Sequence, residues 1–282
     1  MILKAHAKIN LSLDVLNKRE DGYHNLSTIM IPLEMHDSIE IYIIRSGMDD
    51  YVTCDDFSLS ISKYNLCHQM INAARNKWGF KEHFNVSIHK NIFLQAGLGG
   101  GSSDAGATLL GIIALLKIKC PFEEIIELAL SIGSDVPWAL LNKPCVVKRR
   151  GNILEPFDLK NKYFVLLVKP LQGLSTQTVF NYADTVGIDT HGDINKVKDY
   201  LINGDQKELG ETIFNSLQEA AIKLLPEIQN IISLLKNDGF KVVLMSGAGS
   251  CVFALSEDLE KAKKAEKKYT QLGYCVELTR FL

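Results

Sequence analysis

The sequence predicts an α+β protein built as two halves. Strand-like and helix-like segments follow one another irregularly, with hairpins among them rather than a regular series of strand, helix and strand. No internal repeat at a fixed period and no low-complexity tract is present. The length of 282 residues suits one large or two moderate domains. A turn around residues 151–158 is the predicted boundary, which gives domains of residues 1–156 and 157–282.

The composition indicates an ordinary soluble globular protein, with 46% hydrophobic and 23% charged residues and a formal net charge of −2. The scattered Lys and Arg residues argue against a nucleic-acid surface, and the lysine-rich residues 261–268 have the spacing of a solvated helix face. The six cysteines form no Cys-x-x-Cys pair, and neither a signal peptide nor an apolar run of about 20 residues is present. We therefore expect a cytoplasmic protein with reduced thiols and no membrane role.

The elements are predicted from the period of the apolar residues, which is two for strands and 3.6 for helices. In the first half we expect strands at residues 5–15, 39–44, 84–93 and 145–148, and helices at about 65–78, 105–116 and 122–132. In the second half we expect strands at 163–168, 242–245, 251–255 and 274–279, short helices up to Leu217, and longer helices at 226–237 and ending near Leu272.

The first strand carries apolar side chains on one face and polar ones on the other. The sequence favours a polar face that is solvated, as on many antiparallel strands. The alternative is the floor of a cleft, in which Lys8 would steady an anion and Asn10 would hydrogen-bond a substrate. The polar face comprises His6, Lys8, Asn10, Ser12 and Asp14.

Residues 97–104 read Gly-Leu-Gly-Gly-Gly-Ser-Ser-Asp and lie between a predicted strand and a predicted helix. Main-chain N–H groups at the start of a helix bind phosphate, so this loop indicates a nucleotide site and a possible kinase. It lacks the lysine of a Walker loop, and Ser102 stands where a dinucleotide loop has its third glycine. A surface turn that only caps the helix is less favoured, because three consecutive glycines cost more than a cap requires.

Three shorter segments allow two interpretations each. Residues 21–24, Asp-Gly-Tyr-His, form a hairpin turn or a base-stacking element. Asp135 is either a helix N-cap or the carboxylate that a phosphoryl-transfer enzyme needs near the accepting hydroxyl, with Lys8 as the basic partner. Residues 246–250, Ser-Gly-Ala-Gly-Ser, form a hairpin loop or a loop that contacts a ligand.

Three of these segments, taken in chain order, resemble the signature of the GHMP kinase superfamily, which includes galactokinase and the homoserine, mevalonate and phosphomevalonate kinases. Residues 5–11 read Ala-His-Ala-Lys-Ile-Asn-Leu, residues 96–105 read Ala-Gly-Leu-Gly-Gly-Gly-Ser-Ser-Asp-Ala, and residues 245–253 read Met-Ser-Gly-Ala-Gly-Ser-Cys-Val-Phe. The resemblance implies a two-domain α+β fold with ATP and substrate in the cleft between the domains.

Further segments resemble the branch of this superfamily that acts on a cytidine-diphosphate methylerythritol. They are residues 7–15, residues 19–24, Tyr64-Asn65-Leu66, and Gly-Ser-Asp-Val-Pro at 133–137. The resemblance implies ATP-dependent phosphorylation of the tertiary 2-hydroxyl of that substrate, a step of the non-mevalonate isoprenoid pathway. Two alternatives remain: another kinase of the superfamily, acting on homoserine or a mevalonate derivative, and a sensor that binds nucleotide without catalysis.

The resemblance also implies a role for each matched residue. Asp135 would be the general base in contact with substrate, and Lys8 would polarise the hydroxyl. Met30 stands where an aromatic residue is common near the cytidine, so Phe180 is a candidate wall of that pocket. Magnesium is expected with ATP, held by Ser102 or by water, and the chain would act as a monomer or homodimer. The remaining implied contacts are Gly97, Leu98, Gly99, Gly100, Gly101, Ser102, Ser103 and Asp104 with the ATP phosphates, Asn65 and Lys90 with the adenosine, and Asn10, Tyr23, His24 and Gly247 with the substrate.

Overall fold

The computed structural model describes residues 1–45, 49–56 and 65–282. The strands are β1 (Ile2–Lys18), β2 (His24–Ile44), β3 (Tyr51–Cys54), β4 (His83–His89), β5 (Cys145–Arg149), β6 (Ile153–Pro156), β7 (Phe164–Lys169), β8 (Val242–Met245), β9 (Val252–Ser256) and β10 (Cys275–Arg280). The helices are α1 (Leu66–Trp78), α2 (Gly100–Leu116), α3 (Phe122–Ile132), α4 (Val136–Leu141), α5 (Thr176–Val186), α6 (Ile194–Asn203), α7 (Gln206–Thr212), α8 (Gln218–Leu224), α9 (Glu227–Asn237) and α10 (Leu259–Gln271).

The chain forms two compact units, each assembled from separate segments. Unit 1 comprises Met1–Ala7, Met35–Ile92 and Gly99–Asn142, and unit 2 comprises Lys8–Glu34, Phe93–Leu98 and Lys143–Leu282. The long strands β1 and β2 each contribute residues to both units. The division at residues 156 and 157 stays a prediction.

Unit 1 packs helices against a small sheet. The second part of β2 pairs antiparallel with β4, with Ile41 opposite Val86, and β3 pairs parallel with β4. The core lies between this sheet and helices α1 to α3, because their apolar faces are buried together. The Asn65 side chain caps α1 by accepting the N–H of Cys67 at 2.9 Å, and α1 ends at Gly79 in the left-handed conformation.

Unit 2 contains two groups of paired strands. The first part of β2 pairs antiparallel with β5, and β5 pairs antiparallel with β6. A second sheet has the order β10-β7-β9-β8, with every neighbour antiparallel. Apolar residues of this sheet, of β1 and of helices α5, α8, α9 and α10 form one core. On α10 the alanines 262 and 265 are buried while lysines 263, 264, 267 and 268 are exposed, so the predicted solvated lysine face is confirmed.

Most predicted elements are present, and most of their ends differ by a few residues, but the strand predicted at 39–44 begins much earlier, at His24. The helices predicted at 65–78, 122–132 and 226–237 and the strand at 242–245 are confirmed. Helix α2 begins at Gly100, inside the glycine loop, five residues before the apolar pattern starts. Strands β3 and β6 were not predicted, and β6 lies in the segment expected to be a turn. Each has four residues, too few for an alternating pattern to stand out.

Candidate functional site

The polar face of β1 is buried, so the solvated face that the sequence favoured is wrong. Lys8 and Asn10 are each 3% exposed, and Ser12 and Asp14 are buried with them. Each of these four side chains has a polar partner. Buried polar groups need such partners, so this face is a built polar layer of the protein.

Lys8 and Asn10 are neighbours on that face. The Lys8 ammonium donates hydrogen bonds to Asn10 Oδ1 and, at 3.0 Å, to the carbonyl oxygen of Gly97. The Asn10 amide donates in turn to Thr28 Oγ1 at 2.8 Å, and Thr28 donates to the Ser12 carbonyl at 2.6 Å. Both the oxygen and the nitrogen of the Asn10 amide are therefore hydrogen-bonded, and the fixed amide orients Lys8. Its contact with substrate stays a prediction.

The three motif segments meet within unit 2. Ser246 Oγ donates to the Gly97 carbonyl at 2.9 Å and accepts the main-chain N–H of Asn10 at 3.1 Å. A Cβ atom on Gly97 would lie 2.0 Å from the Ser246 carbonyl oxygen, and one on Gly247 would lie 3.0 Å from Asn10 Oδ1. Glycine is needed at position 97 for this close approach and also for its φ of +72°.

Asn215 fixes the loop between β8 and β9 by hydrogen bonds. Its Nδ2 donates to the carbonyls of Met245 and Gly247, both at 2.8 Å, and its Oδ1 accepts the N–H of Leu217. The loop is thus the predicted hairpin and also part of the polar layer around Lys8. Sequence reasoning missed Asn215, because it lies in an irregular segment with no motif around it.

The glycine loop leads directly into α2. Gly97 and Gly99 have positive φ angles of 72° and 74°, and Gly99 is the N-cap of the helix. The first N–H groups of a helix have no partner within it, so those of residues 100–102 are donors at the positive end of the helix dipole. Ser103 fixes this end by donating to the His6 carbonyl at 2.7 Å.

Lys90 lies beneath this end of α2 in a buried cluster. Its ammonium donates to Asp37 Oδ2 and, at 2.8 Å, to Asp104 Oδ2, and a Cβ atom on Gly100 would lie 3.3 Å from it. Asp37 Oδ1 accepts the N–H groups of Asn91 and Ile92 at 2.6 and 2.8 Å. The cluster therefore ties β2 and the end of β4 to the helix that follows the loop.

The charges of this cluster do not balance, because one ammonium faces two carboxylates. Burial, followed by the negative charge of Asp37, raises the pKa of Asp104 despite Lys90. For Lys90, burial works to lower the pKa, but the two carboxylates outweigh it and the net shift is upward. Asp37 was not foreseen from the sequence, since a lone aspartate within a strand pattern carries no signal. The predicted contact of Lys90 with adenosine stays a prediction.

Asp135 precedes α4 in unit 1, at the N-cap position. Its side chain makes no capping hydrogen bond, and its backbone is in the right-handed helical region. An N-cap residue normally accepts an N–H of the first turn, so the capping interpretation does not explain this aspartate. Lys8 belongs to unit 2, and the pairing of the two in catalysis stays a prediction.

Tyr23 and His24 follow the turn between β1 and β2, as predicted. Tyr23 is 48% exposed, and the Arg150 guanidinium carbon lies 3.8 Å from its ring centre. The His24 ring packs on Phe180, with ring centres 5.1 Å apart, and its Nε2 lies 2.7 Å from Asp184 Oδ1. The structure thus brings Phe180 to His24. Arg150 and Asp184 were missed, although Asp184 stands four residues after Phe180 and so on the same helix face.

Among the described residues, no cluster of side chains stands out as a magnesium site. Throughout the described ranges, no group of three or more His, Cys, Asp or Glu side chains is placed to hold a metal ion. Asp104 Oδ1 is buried without a hydrogen-bond partner among those residues, but the other oxygen of this carboxylate accepts from Lys90.

Tyr64 of the sequence motif lies outside the described residues. No helix in the described parts of the chain has the length and apolarity to cross a membrane.

The chain is similar over most of its length to proteins of known family. The family described as GHMP kinases N terminal domain matches residues 65–143, and GHMP kinases C terminal matches residues 197–275. A Bacillus cereus protein named 4-diphosphocytidyl-2-C-methyl-D-erythritol kinase is 34% identical over 255 residues, covering 90% of this chain and 88% of that protein.

Solved structures show the same relationship. The crystal structure of a 4-(cytidine 5′-diphospho)-2C-methyl-D-erythritol kinase has a TM-score of 0.81 and 27% identity, and covers both chains completely. Phosphomevalonate kinase from Streptococcus pneumoniae, in complex with phosphomevalonate and AMPPNP, has a TM-score of 0.71 with 13% identity and 99% of both chains covered, so it shares the fold. The α+β fold expected from the sequence is confirmed. This chain belongs to the GHMP kinases and, among them, to the 4-diphosphocytidyl-2-C-methyl-D-erythritol kinase family.

Proposed function

We propose that this protein is a kinase that transfers the γ-phosphate of ATP to the 2-hydroxyl of 4-diphosphocytidyl-2-C-methyl-D-erythritol, giving the 2-phosphate and ADP in the non-mevalonate isoprenoid pathway. The observation that carries the proposal is the Lys8 ammonium, which is held at the carbonyl of Gly97, where the glycine loop begins. Family membership, through relatives that bear this enzyme's name, supplies the substrate.

The glycine loop would hold the triphosphate. The loop of residues 97–103 brings the main-chain N–H donors of residues 100–102 to the positive end of α2, which suits an anion. Glycines keep this surface open, since a Cβ on Gly101 would meet the Leu66 side chain at an ordinary 3.5 Å and no other described residue within 4 Å. Asp104 would act through its hydrogen bond with Lys90, which would hold the start of α2 in place.

Lys8 and Asp135 would carry out the transfer. Asp135 would accept the proton of the 2-hydroxyl as its oxygen attacks the γ-phosphorus and ADP leaves. Lys8 would stabilise the negative charge that develops on the oxygens. A tertiary hydroxyl is a very weak acid, so positioning and charge stabilisation would lower most of the barrier.

The cytidine would lie at the start of β2. Tyr23 has half of its surface exposed, and His24 beside Phe180 adds a polar ring with a fixed orientation. Asn10 accepts a hydrogen bond from Lys8, and Gly247 lies against Asn10, so both would lie near the reacting part of the substrate. Asn65, at the start of α1, would lie near the adenosine, with Lys90 below the loop.

Magnesium would enter with ATP, because it neutralises adjacent phosphates and usually keeps several of its waters. A cytosolic location fits a reaction that consumes ATP and a chain with six free thiols. The enzyme would act as a monomer or a homodimer.

The test is ADP release with the cytidylylated methylerythritol as acceptor, run beside homoserine, mevalonate and galactose. We expect turnover with the cytidylylated substrate alone. Turnover with another alcohol would support the activity of a GHMP kinase but reject the proposed substrate. ATP binding without turnover on any acceptor would reject kinase activity and favour a sensor that binds nucleotide without catalysis.

A further inference from the structure

His24 is held by two residues of one helix. Helix α5 carries Phe180 and, one turn later, Asp184. The Phe180 ring packs on the imidazole at an interplanar angle of 33°, while Asp184 Oδ1 lies 2.7 Å from Nε2. The His24 side chain is 7% exposed and that of Asp184 is 24% exposed. The ring therefore has a fixed plane and one fixed hydrogen bond.

The partner of Asp184 on its other side is Lys18. The Lys18 ammonium donates to Asp184 Oδ2 at 2.5 Å. Partial burial works to raise the pKa of Asp184, but the hydrogen bonds from Lys18 and His24 outweigh it and lower that pKa. Asp184 is therefore ionised at neutral pH, and an ionised carboxylate only accepts hydrogen bonds.

This contact determines which nitrogen of His24 carries the proton. Because Asp184 can only accept, Nε2 must donate, and in the neutral ring Nδ1 is then an acceptor. An acceptor pairs with an exocyclic amino group and opposes a carbonyl oxygen. Cytosine and uracil differ in this respect, since cytosine has an amino group where uracil has a carbonyl.

We propose that Asp184 is a positioning residue that sets the hydrogen-bonding polarity of His24 and thereby selects a cytidine nucleotide over a uridine nucleotide. The inference rests on the proposed function, because it takes His24 to face the base. It deepens that function by assigning the choice of base to a residue that would not itself touch the substrate.

Asp184→Asn tests this inference. Lys18 attracts the amide oxygen of the new side chain, which turns the NH₂ group toward His24. Nε2 must then accept, so the proton moves to Nδ1 and that nitrogen becomes a donor. We expect CMP to bind roughly 10- to 100-fold more weakly, while UMP binding is unchanged or tightens. Asp189→Asn, which removes an exposed carboxylate from the same unit, should leave both affinities unchanged.

Nitrogen-15 NMR of the histidine rings gives a readout that a structural role would not change. In its neutral form, the His24 ring should carry its proton on Nε2 in the wild type and on Nδ1 in Asp184→Asn. In the double variant Lys18→Met, Asp184→Asn the amide is free to rotate, and part of the preference for CMP should return.

Two results would overturn the inference: equal affinity of the wild type for CMP and UMP, or an unchanged ratio and tautomer in Asp184→Asn. These binding measurements do not depend on turnover. A wild-type protein that discriminates CMP from UMP as described but phosphorylates no cytidylylated alcohol would contradict the proposed function and retain the role of Asp184.

Discussion

Lys8 Nζ donates a hydrogen bond to the carbonyl oxygen of Gly97 at 3.0 Å, although the two residues are 89 positions apart in the chain. The same oxygen accepts from Ser246 Oγ, so residues from all three motif segments converge on one main-chain acceptor. The carbonyl of Gly97, the first glycine of the loop, thus fixes the Lys8 ammonium, which we assign to catalysis.

The assigned roles of Lys8 and Asp135 predict a separation of catalysis from nucleotide binding. Asp135→Asn keeps the shape of the side chain but removes the base, and we expect kcat to fall by about 10²- to 10⁴-fold. Lys8→Met should lower kcat to a similar extent. ATP binding, measured by calorimetry, should change little in Asp135→Asn. Lys4→Met, at an exposed position of the same strand, is the control. Activity equal to that of the wild type in Asp135→Asn would remove the aspartate from the mechanism.

Gly97→Ala should destabilise the protein far more than Gly101→Ala. The new methyl group at position 97 would lie 2.0 Å from the Ser246 carbonyl oxygen, at a φ that disfavours L side chains, so we expect a loss of roughly 2 to 5 kcal/mol. At position 101 the methyl group meets Leu66 at an ordinary 3.5 Å, and alanine favours the helix. Denaturant unfolding of both variants measures the difference. Equal stabilities would show that the contact between Gly97 and Ser246 is not tight in solution.

The cluster of Lys90, Asp37 and Asp104 predicts a pH dependence of stability. The folded state raises the pKa of Asp104 above its ordinary value of 3.8, so it binds more protons than the unfolded state across that interval. Stability from this group is therefore complete at low pH and is lost as the pH rises through the raised pKa. Asp104→Asn lacks this titration, so its Tm should fall less than that of the wild type between about pH 5 and about pH 8.

The matched control is Asp199→Asn, which changes an exposed aspartate of α6. Its melting profile should run parallel to that of the wild type over the same pH range. If Asp104→Asn also ran parallel to the wild type, the carboxyl of Asp104 would not be perturbed by its cluster.

Replacement of Arg150 should weaken the binding of the cytidylylated substrate and leave the binding of ATP unchanged. Its guanidinium covers one face of the Tyr23 ring, and the preceding Arg149 has a φ of +58° that turns the chain there. Arg150→Met removes a cation–π contact worth about 0.5–2 kcal/mol, so the KM for the cytidylylated substrate should rise roughly 2- to 30-fold. We expect kcat and the KM for ATP to stay constant. Lys148→Met, at a position of β5 two residues earlier, is the control, and an equal rise in its KM would point to a general effect of charge.

The sequence alone predicted the kinds of elements and the chemistry of the glycine loop. Apolar periodicity located α3 and α9 almost to the residue, because long amphipathic helices repeat their signal over several turns. Three glycines before a helix predicted a phosphate-binding loop, because that property depends on local backbone geometry. The start of α2 was placed five residues late, since glycines carry no apolar signal.

Tertiary structure alone decided what covers the polar face of β1. Alternation along a strand tells which side chains share a face, but it cannot tell whether water or protein lies against that face. The partners of Asn10 are Thr28, 18 positions away, and Ser246, 236 positions away. The same holds for Asp184 and His24, which are 160 positions apart. Hydrogen bonds between distant residues form only where folding brings their elements together, so the sequence named the polar residues of this site and the fold selected their partners.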